Sequence, residues 1–119
     1  MGDTPERVLR RLSIRDDAFI REVLVSAEDP GAAHPLDSRT CAFSRIAALI
    51  ALDAASPSYL TSVDDARAAG ATDGEIVGVL VGLMPIVGVA RVVSAAPKLA
   101  LALGYDVAAA LEESDPASI

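Results

Sequence analysis

Cysteine is almost absent from this 119-residue sequence, in which Cys41 is the single example. One cysteine excludes a disulfide within the chain, a CxxC redox pair and a cysteine-based structural zinc site. We accordingly expect no metal and no cofactor, and we interpret Cys41 as a structural, partly buried thiol. A chain with so little cysteine is also expected to be cytoplasmic.

Aromatic residues are nearly as scarce, at 3% of the chain, and tryptophan is missing. The core must therefore be filled by Ala, Val, Leu and Ile, whose small side chains let helices approach closely. Hydrophobic residues nonetheless make up 52% of the sequence against 23% charged, which is the composition of a packed globule. At this length we expect one domain, residues 1–119, that buries roughly two thirds of the surface its unfolded chain exposes.

Positive charge is in the minority, and the formal net charge is −7. Without a dense Lys/Arg cluster the chain is not expected to bind nucleic acid, whose phosphates require clustered positive charge. Arginines do gather near the N-terminus, but acidic residues are interleaved among them, which is typical of a solvated helix face. These arginines are Arg7, Arg10, Arg11, Arg15 and Arg21.

A hydrophobic run long enough to cross a membrane is missing as well. The best candidate, residues 76–90, has fifteen residues, contains Pro85 and is followed by Arg91, whereas a spanning helix needs about 20 residues. The first twenty residues are charged throughout, so no signal peptide is expected either. Burial within protein is the better interpretation of the apolar run.

Helix signals begin at the N-terminus. Thr4 before Pro5 marks a helix start, with proline at a position where its missing N–H does no harm. An apolar stripe over residues 18–27 predicts a second helix, which runs into the breaker-rich stretch 28–35.

A central helix is predicted over residues 37–54. Asp37 is a natural N-cap, and the apolar residues that follow recur at helical spacing. Because the stretch 47–52 is apolar all round, we expect it to be covered on every side. The helically spaced residues are Phe43, Ile46, Ala47, Ile50 and Ala54.

A polar seam, residues 55–62 with the sequence ASPSYLTS, follows the central helix. Ser56 is predicted to cap a new helix with Pro57 at its first position, and Gly70 is predicted to end that helix. Residues 72–75 then have the form of a capping box, in which a threonine and a glutamate each satisfy a backbone group at a helix start.

The apolar run after the capping box fits two structures. The capping box favours a helix, whereas Val and Ile are β-formers and leave a buried strand at 76–83 as the alternative. Gly78 and Gly82 lie on one helical face, and their destabilising effect of about 1 kcal/mol each suggests a tight contact with another helix. Pro85 and Gly88 are expected to break the run.

A last apolar helix, residues 89–103, is expected to be kinked or split by Pro97 and ended by Gly104. A short helix through 107–111 and a loose tail, 112–119, follow. About six helices thus give an all-α fold. Because two consecutive helices have almost no polar face, we expect part of their surface to meet other copies of the chain in a homo-oligomer.

The order of these elements resembles a known family. Leu36-Asp37-x-x-Thr40, an alanine-rich helix, Ala66-x-x-x-Gly70-Ala71-Thr72-x-x-Glu75-Ile76, an apolar helix and Val87-Gly88 are similar to the carboxymuconolactone decarboxylase and alkyl hydroperoxidase D family. The resemblance covers about residues 36–103 and leaves N-terminal helices and a loop in 1–35. It implies an alkyl hydroperoxidase D-like helical bundle that assembles into trimers or hexamers, with active sites close to the subunit contacts.

The resemblance also implies chemistry that this chain lacks. The peroxidase branch carries C-x-x-C-x-x-x-H at the seam, where this chain has Ala55, Ser58 and Ser62, and the family's proton-transfer glutamate corresponds to Ala42. Peroxide reduction needs a thiolate, a resolving thiol and a base, so we expect negligible peroxidase turnover. The decarboxylase branch lacks the dithiol but generally retains the histidine, so its best general base is missing here too.

Three side chains outside the seam are candidates for function. Arg45 and Arg91 interrupt apolar stretches, where a charge needs a partner. They are interpreted as ion pairs at a subunit contact, with Asp53 or Asp64 as partners, and the alternative is a clamp for a small-molecule carboxylate ligand. His34, the only histidine, is interpreted as a surface loop residue.

The seam itself leaves two functions open. The first is a non-redox enzyme, a lyase in the sense of the family, that acts on a small carboxylate or lactone. Tyr59 is then the candidate catalytic acid, and Ser58 and Ser62 line the substrate pocket together with an arginine. The second is a non-catalytic oligomeric protein, structural or ligand-binding, in which aliphatic side chains fill that pocket. Serine without a histidine base is a poor nucleophile.

Overall fold

The computed structural model describes residues 4–29 and 34–107. Every regular element within these residues is an α-helix, so the all-α prediction is confirmed for this part of the chain and the alternative of a strand at 76–83 is wrong. The six helices are α1 (Pro5–Ser13), α2 (Asp17–Ala27), α3 (Ser38–Ala51), α4 (Ser56–Ala68), α5 (Asp73–Val87) and α6 (Val89–Leu103). None of them is long and apolar enough to cross a membrane.

The chain divides into two compact units, of which Met1–Pro35 contains α1 and α2. Thr4 and Asp16 cap the two helices with side-chain oxygens that accept the backbone N–H three residues further on. No residue of either helix is buried. Arg10 pairs with Glu6 at 2.9 Å and Arg11 approaches Asp16 at 3.9 Å, so the interleaved charges form the solvated ion pairs that the sequence predicts.

The second unit, Leu36–Ile119, contains α3 to α6. Asp37 caps α3 as predicted, with its Oδ1 accepting the Thr40 N–H at 2.7 Å. The core is built almost wholly from small aliphatic side chains, and Tyr59 is its one aromatic member among the described residues. The largest fully buried side chains besides Tyr59 are Ile46, Ile50, Val63, Ile76 and Leu99.

Glycines end three of the four helices of this unit, α4, α5 and α6, where the sequence predicts. Gly70 and Gly104 follow α4 and α6 with φ of +90°, and Gly88 separates α5 from α6 with φ of +91°. Left-handed backbone of this kind is strained for a residue that has a Cβ. Between α4 and α5 the capping box is complete: Thr72 Oγ1 accepts the Glu75 N–H at 3.1 Å, and Glu75 Oε1 accepts the Thr72 N–H at 3.0 Å.

Three details of the helix boundaries differ from expectation. Ala55, not Ser56, is the N-cap of α4, and Pro57 occupies the second helical position, which suits proline because that N–H is also unbonded in a helix. Pro85 lies inside α5, and both Pro85 and Val81, the residue four positions earlier, are exposed. Pro97 does not split α6, which is continuous. The described residues end at 107. The predicted tail, 112–119, and all but the first residue of the predicted helix through 107–111 therefore lie outside them.

Two predicted burials are absent from the described part of the chain. A Cβ added to Gly78 or Gly82 meets no atom within 4 Å, so no helix of this chain packs tightly there. The stretch 47–52 is not covered all round either, because Ala48 is exposed and Leu52 is 76% exposed. Both results concern a single copy of the chain.

Candidate functional site

The seam places its polar residues in different surroundings. Tyr59 lies in the first turn of α4 with 0% of its surface exposed, and Ser62, one turn later, is buried beside Val63 and Ala66. Ser58 is exposed. The described structure therefore packs two of the three predicted seam residues into the core and leaves the third on the surface.

The Tyr59 hydroxyl is buried and has no hydrogen-bond partner among the described residues. Burial raises the pKa of this phenol, and the negative charge of Asp53 raises the pKa further. A general acid works best when its pKa is close to the working pH. Both influences on the Tyr59 pKa thus move it away from the value that a catalytic acid needs.

Asp53 forms the turn that leads from α3 into the seam. It has a φ of +53°, a left-handed conformation that is uncommon outside glycine. The turn is fastened by the Asp53 N–H, which donates to the Ile50 carbonyl at 3.2 Å, and by the Ala54 N–H, which donates to the Leu49 carbonyl at 3.0 Å. This pattern ends a helix in the way that glycine usually does.

The carboxylate of Asp53 explains why a non-glycine residue occupies this position. Its Oδ1 accepts hydrogen bonds from Ser94 Oγ at 2.7 Å and from Lys98 Nζ at 3.1 Å, and its Oδ2 lies 3.9 Å from Arg91 Nη1. Lys98 Nζ also donates to the Ala54 carbonyl at 2.9 Å. We call this group of Asp53, Arg91, Ser94 and Lys98 the Asp53 anchor, since it holds the turn after α3 against α6.

Within the Asp53 anchor, donors of α6 stabilise the negative charge of Asp53. The hydrogen bond from Ser94, followed by the hydrogen bond and charge of Lys98, lowers the pKa of the Asp53 carboxyl. Arg91, Ser94 and Lys98 follow one another at spacings of three and four residues, so they share one face of α6. The cationic and hydroxyl donors of that face are therefore directed to the chain's own carboxylate.

Sequence reasoning found Arg91 and Asp53 but missed Ser94 and Lys98. A usable signal was present, because Lys98 is the only lysine of the chain and a polar residue in an apolar helix needs a partner. Arg91 lies 3.9 Å from Asp53 of the same chain, so it has one of the two proposed partners, and the proposed place of the ion pairs at a subunit contact stays a prediction. Arg45 lies 4.0 Å from Asp65 rather than beside Asp53 or Asp64, and both members of that pair are about half exposed.

A second polar cluster joins the ends of three helices. Arg67 donates through Nε and Nη2 to the two carboxylate oxygens of Asp73, at 3.0 and 3.1 Å, and Nη2 also donates to the Leu103 carbonyl at 2.9 Å. The Tyr105 hydroxyl donates to Asp73 Oδ2 at 2.7 Å. The hydrogen bonds from Arg67 and then Tyr105 lower the pKa of Asp73, and the bond to Asp73 raises the pKa of Tyr105. This Arg67 latch fastens α4, α5 and α6 together.

An apolar groove lies between α5 and α6 and has a volume of about 190 Å³. Tyr105 is one of its lining residues, and no residue of the seam lines it. The walls are formed by Val77 and Leu80 of α5 and by Ala96, Leu99, Ala100 and Leu103 of α6.

The remaining candidates do not form a cluster for chemistry. Among the described residues, no three His, Cys, Asp or Glu side chains are grouped so that they could hold a metal ion. Cys41 is half-buried in α3, and His34 is exposed.

Comparisons of the chain with protein-family models, with curated proteins and with solved structures give no match. The geometry of the seam, the Asp53 anchor and the exposed helix faces is therefore the evidence for function.

Proposed function

We propose that this chain is a non-catalytic, self-associating protein with a carboxymuconolactone decarboxylase-like helical fold. The observation that carries the proposal is the packed seam: Tyr59 and Ser62 are part of the aliphatic core. A substrate pocket at this place needs room beside Tyr59 and Ser62, and their neighbours in the core fill it. The seam thus has the aliphatic filling that a non-catalytic protein requires.

The fold proposal rests on the positions of the helix ends. Asp37 caps α3, Gly70 ends α4, and Thr72 with Glu75 begins α5, and these residues carry the resemblance to the family. Each of them has the local role that its place in the motif requires. They support an alkyl hydroperoxidase D-like helical bundle over residues 36–103.

Self-association is supported by aliphatic side chains that the single chain leaves in water. Val81 and Ile86 of α5 and Val93 of α6 are 59%, 78% and 65% exposed. Full burial of such a side chain contributes about 1.5–3 kcal/mol, so covering several of them favours assembly. Following the family, we expect trimers or hexamers.

We expect light scattering at micromolar concentration to give a mass three or six times 12.2 kDa. We also expect no turnover of hydroperoxides with a dithiol reductant and no decarboxylation of an unsaturated lactone acid, because the seam lacks thiols, a base and space. A mass of one chain would refute assembly. Turnover that disappears in Cys41→Ser would refute the non-catalytic assignment.

The Asp53 anchor also shows what kind of ligand the donors of α6 fit, namely a small carboxylate. Arg91, Ser94 and Lys98 already surround one carboxylate, that of Asp53. A carboxylate ligand of similar size would use the same donors if it replaced the Asp53 side chain. Charge-assisted hydrogen bonds of this kind are the stronger ones in proteins.

Asp53→Gly should create an acetate site that the unmodified chain does not have. Glycine fits the left-handed turn without strain, so the variant removes the carboxylate and keeps the backbone. We expect calorimetry to give a Kd for acetate of about 1–10 mM in the variant and no binding in the unmodified protein. Asp65→Gly, which removes the carboxylate beside Arg45, is the control. Equal binding by Asp53→Gly and Asp65→Gly would show that the donors freed from Asp53 do not form the acetate site.

A further inference from the structure

One face of the second unit is both apolar and exposed to solvent. It surrounds the groove between α5 and α6, and we call it the α5–α6 face. Val77 lines the groove, and Val81 and Met84 continue along the same side of α5 at spacings of four and three residues. Val93 lies three residues before the groove residue Ala96 on α6, and Val89 lies one turn before Val93. The five side chains Val77, Val81, Met84, Val89 and Val93 are between 38% and 65% exposed.

The size of this face is that of an interaction site. Five half-exposed aliphatic side chains amount to a patch on the order of 400 Å², at which contiguous apolar surface marks binding in soluble proteins. A stable dimer contact uses about 800 Å² on each partner. The neighbouring residues Gly78, Gly82 and Pro85 are exposed and uncharged, and they extend the apolar patch toward that area.

The groove within the face is suited to a protruding side chain. Its volume of about 190 Å³ is below the 300–1,000 Å³ that is typical of small-molecule pockets. Its walls contain the small residues Ala96 and Ala100, and Val81 and Val93 stand beside it. A face with both a groove and protruding side chains is complementary to itself, because a symmetric contact brings the same patch from each copy together.

Charge selects a second copy as the partner. The chain has a formal net charge of −7, so two copies repel each other over most of their surface. Residues 76–90 contain no charged side chain, so the α5 part of the face brings no like charges together when two copies meet. The same lack of charge offers nothing to orient an acidic or basic partner.

We infer that the α5–α6 face is the surface through which one copy of this chain contacts the same face of a second copy. The inference rests on the proposed self-association and adds the location of one contact. A contact between like faces relates two copies by a twofold axis, so it pairs two trimers within a hexamer and does not build a trimer by itself. Gly78 and Gly82 support the inference, since among the described residues, apart from the adjoining backbone of α5, no atom lies within 4 Å of a Cβ added to either glycine. Glycine destabilises a helix relative to alanine. Close approach of a helix from a second copy explains why glycine occupies these two positions.

Val81→Asp tests the contact in the full chain. Val81 is 59% exposed, so the substitution should leave the helical content and the folding of the single chain intact. At a contact between like faces it places two carboxylates in apolar surroundings, and we expect the dissociation constant measured by sedimentation to rise at least about 30-fold. Val93→Asp, on the α6 side of the face, should have the same effect.

Leu52→Asp is the matched control, because Leu52 is 76% exposed and lies at the end of α3, away from the face. It should leave the dissociation constant within twofold of the unmodified value. An oligomer that keeps its full mass in both Val81→Asp and Val93→Asp would overturn this contact and leave the proposed self-association standing. A monomeric unmodified protein would overturn both. Weakening by Leu52→Asp equal to that by Val81→Asp would also refute the assignment to this face.

Discussion

Truncating Tyr59 to alanine is expected to lower the free energy of unfolding by about 3–5 kcal/mol, the range for removing a buried aromatic ring. The ring is fully buried and is the largest side chain in the core, so the truncation leaves a cavity among Ile46, Ile50 and their neighbours. Stabilities of small domains lie near 5–15 kcal/mol. The variant should therefore be close to unfolding at 37 °C, as urea denaturation followed by circular dichroism will report.

Tyr59→Phe is expected to act in the opposite direction. The Tyr59 hydroxyl has no partner in the described structure, and burying an unsatisfied polar group costs about 1–3 kcal/mol. Removing it should raise the free energy of unfolding by about 1 kcal/mol. Tyr105→Phe is the control, because its hydroxyl donates to Asp73 at 2.7 Å, and that variant should be less stable than the unmodified chain.

The pair of Tyr59 variants also separates the two functional interpretations. If Tyr59 is only a core residue, removing its ring lowers the free energy of unfolding of the protein, and removing only its hydroxyl raises that free energy. The difference lies in turnover: a catalytic acid requires that the unmodified chain turns over a substrate and that Tyr59→Phe does not, whereas the non-catalytic interpretation predicts no turnover by either. Loss of stability in Tyr59→Phe would contradict the unpartnered hydroxyl and would weaken the packed-seam argument on which the non-catalytic proposal rests.

The protein is expected to lose stability steeply as the pH falls below about 4, because three carboxyls have lowered pKa values in the folded chain. The backbone N–H of Thr40 lowers the pKa of Asp37, Ser94 and then Lys98 lower that of Asp53, and Arg67 lowers that of Asp73. A carboxyl whose folded pKa is depressed stabilises the fold above its unfolded pKa of about 3.9. That stabilisation is lost as the pH falls through the folded value.

Thermal denaturation between pH 7 and pH 2.5 will measure this effect. The midpoint should be nearly constant from pH 7 to about pH 5 and should fall below about pH 4, as the native carboxylates take up protons. Asp53→Asn and Asp73→Asn should each lower the midpoint at pH 7 and flatten the acid limb, since an amide does not titrate. An acid limb that keeps its full slope in the double variant would show that the Asp53 anchor and the Arg67 latch do not set the acid response.

Helix starts and ends were predictable because their causes are local. Thr4, Asp37 and the Thr72–Glu75 capping box each satisfy backbone groups within three residues, and Gly70 and Gly104 take left-handed conformations that their neighbours in sequence require. Two details were wrong: Ala55 and not Ser56 is the N-cap of α4, and α6 is not split at Pro97. Tertiary packing can keep a helix continuous through a proline, and that packing is not visible in the sequence.

The candidate site was predictable only in part. Asp53 was one of two carboxylates proposed as partners for Arg91, because a charge in an apolar helix needs a counter-charge, but the sequence did not show that the pair lies within one chain. Lys98 and Ser94 were missed, and so was the Arg67 latch. The bonds of Ser94 and Lys98 to Asp53 span 41 and 45 residues, and the bond from Arg67 to Leu103 spans 36. Such partners are set by how whole helices pack, which one sequence does not specify.

The amino-acid sequence by itself determined that the described chain is helical and where most of its helices begin and end. It also determined that the core is built from small aliphatic side chains. These features are predictable because capping, glycine geometry and hydrophobic spacing act over a few residues. Only the tertiary structure decided that Tyr59 is buried without a partner, that Asp53 occupies the donors of α6, and that the α5–α6 face is left open. These outcomes depend on the relative placement of helices that are far apart in sequence, which is fixed by the packing of the whole unit.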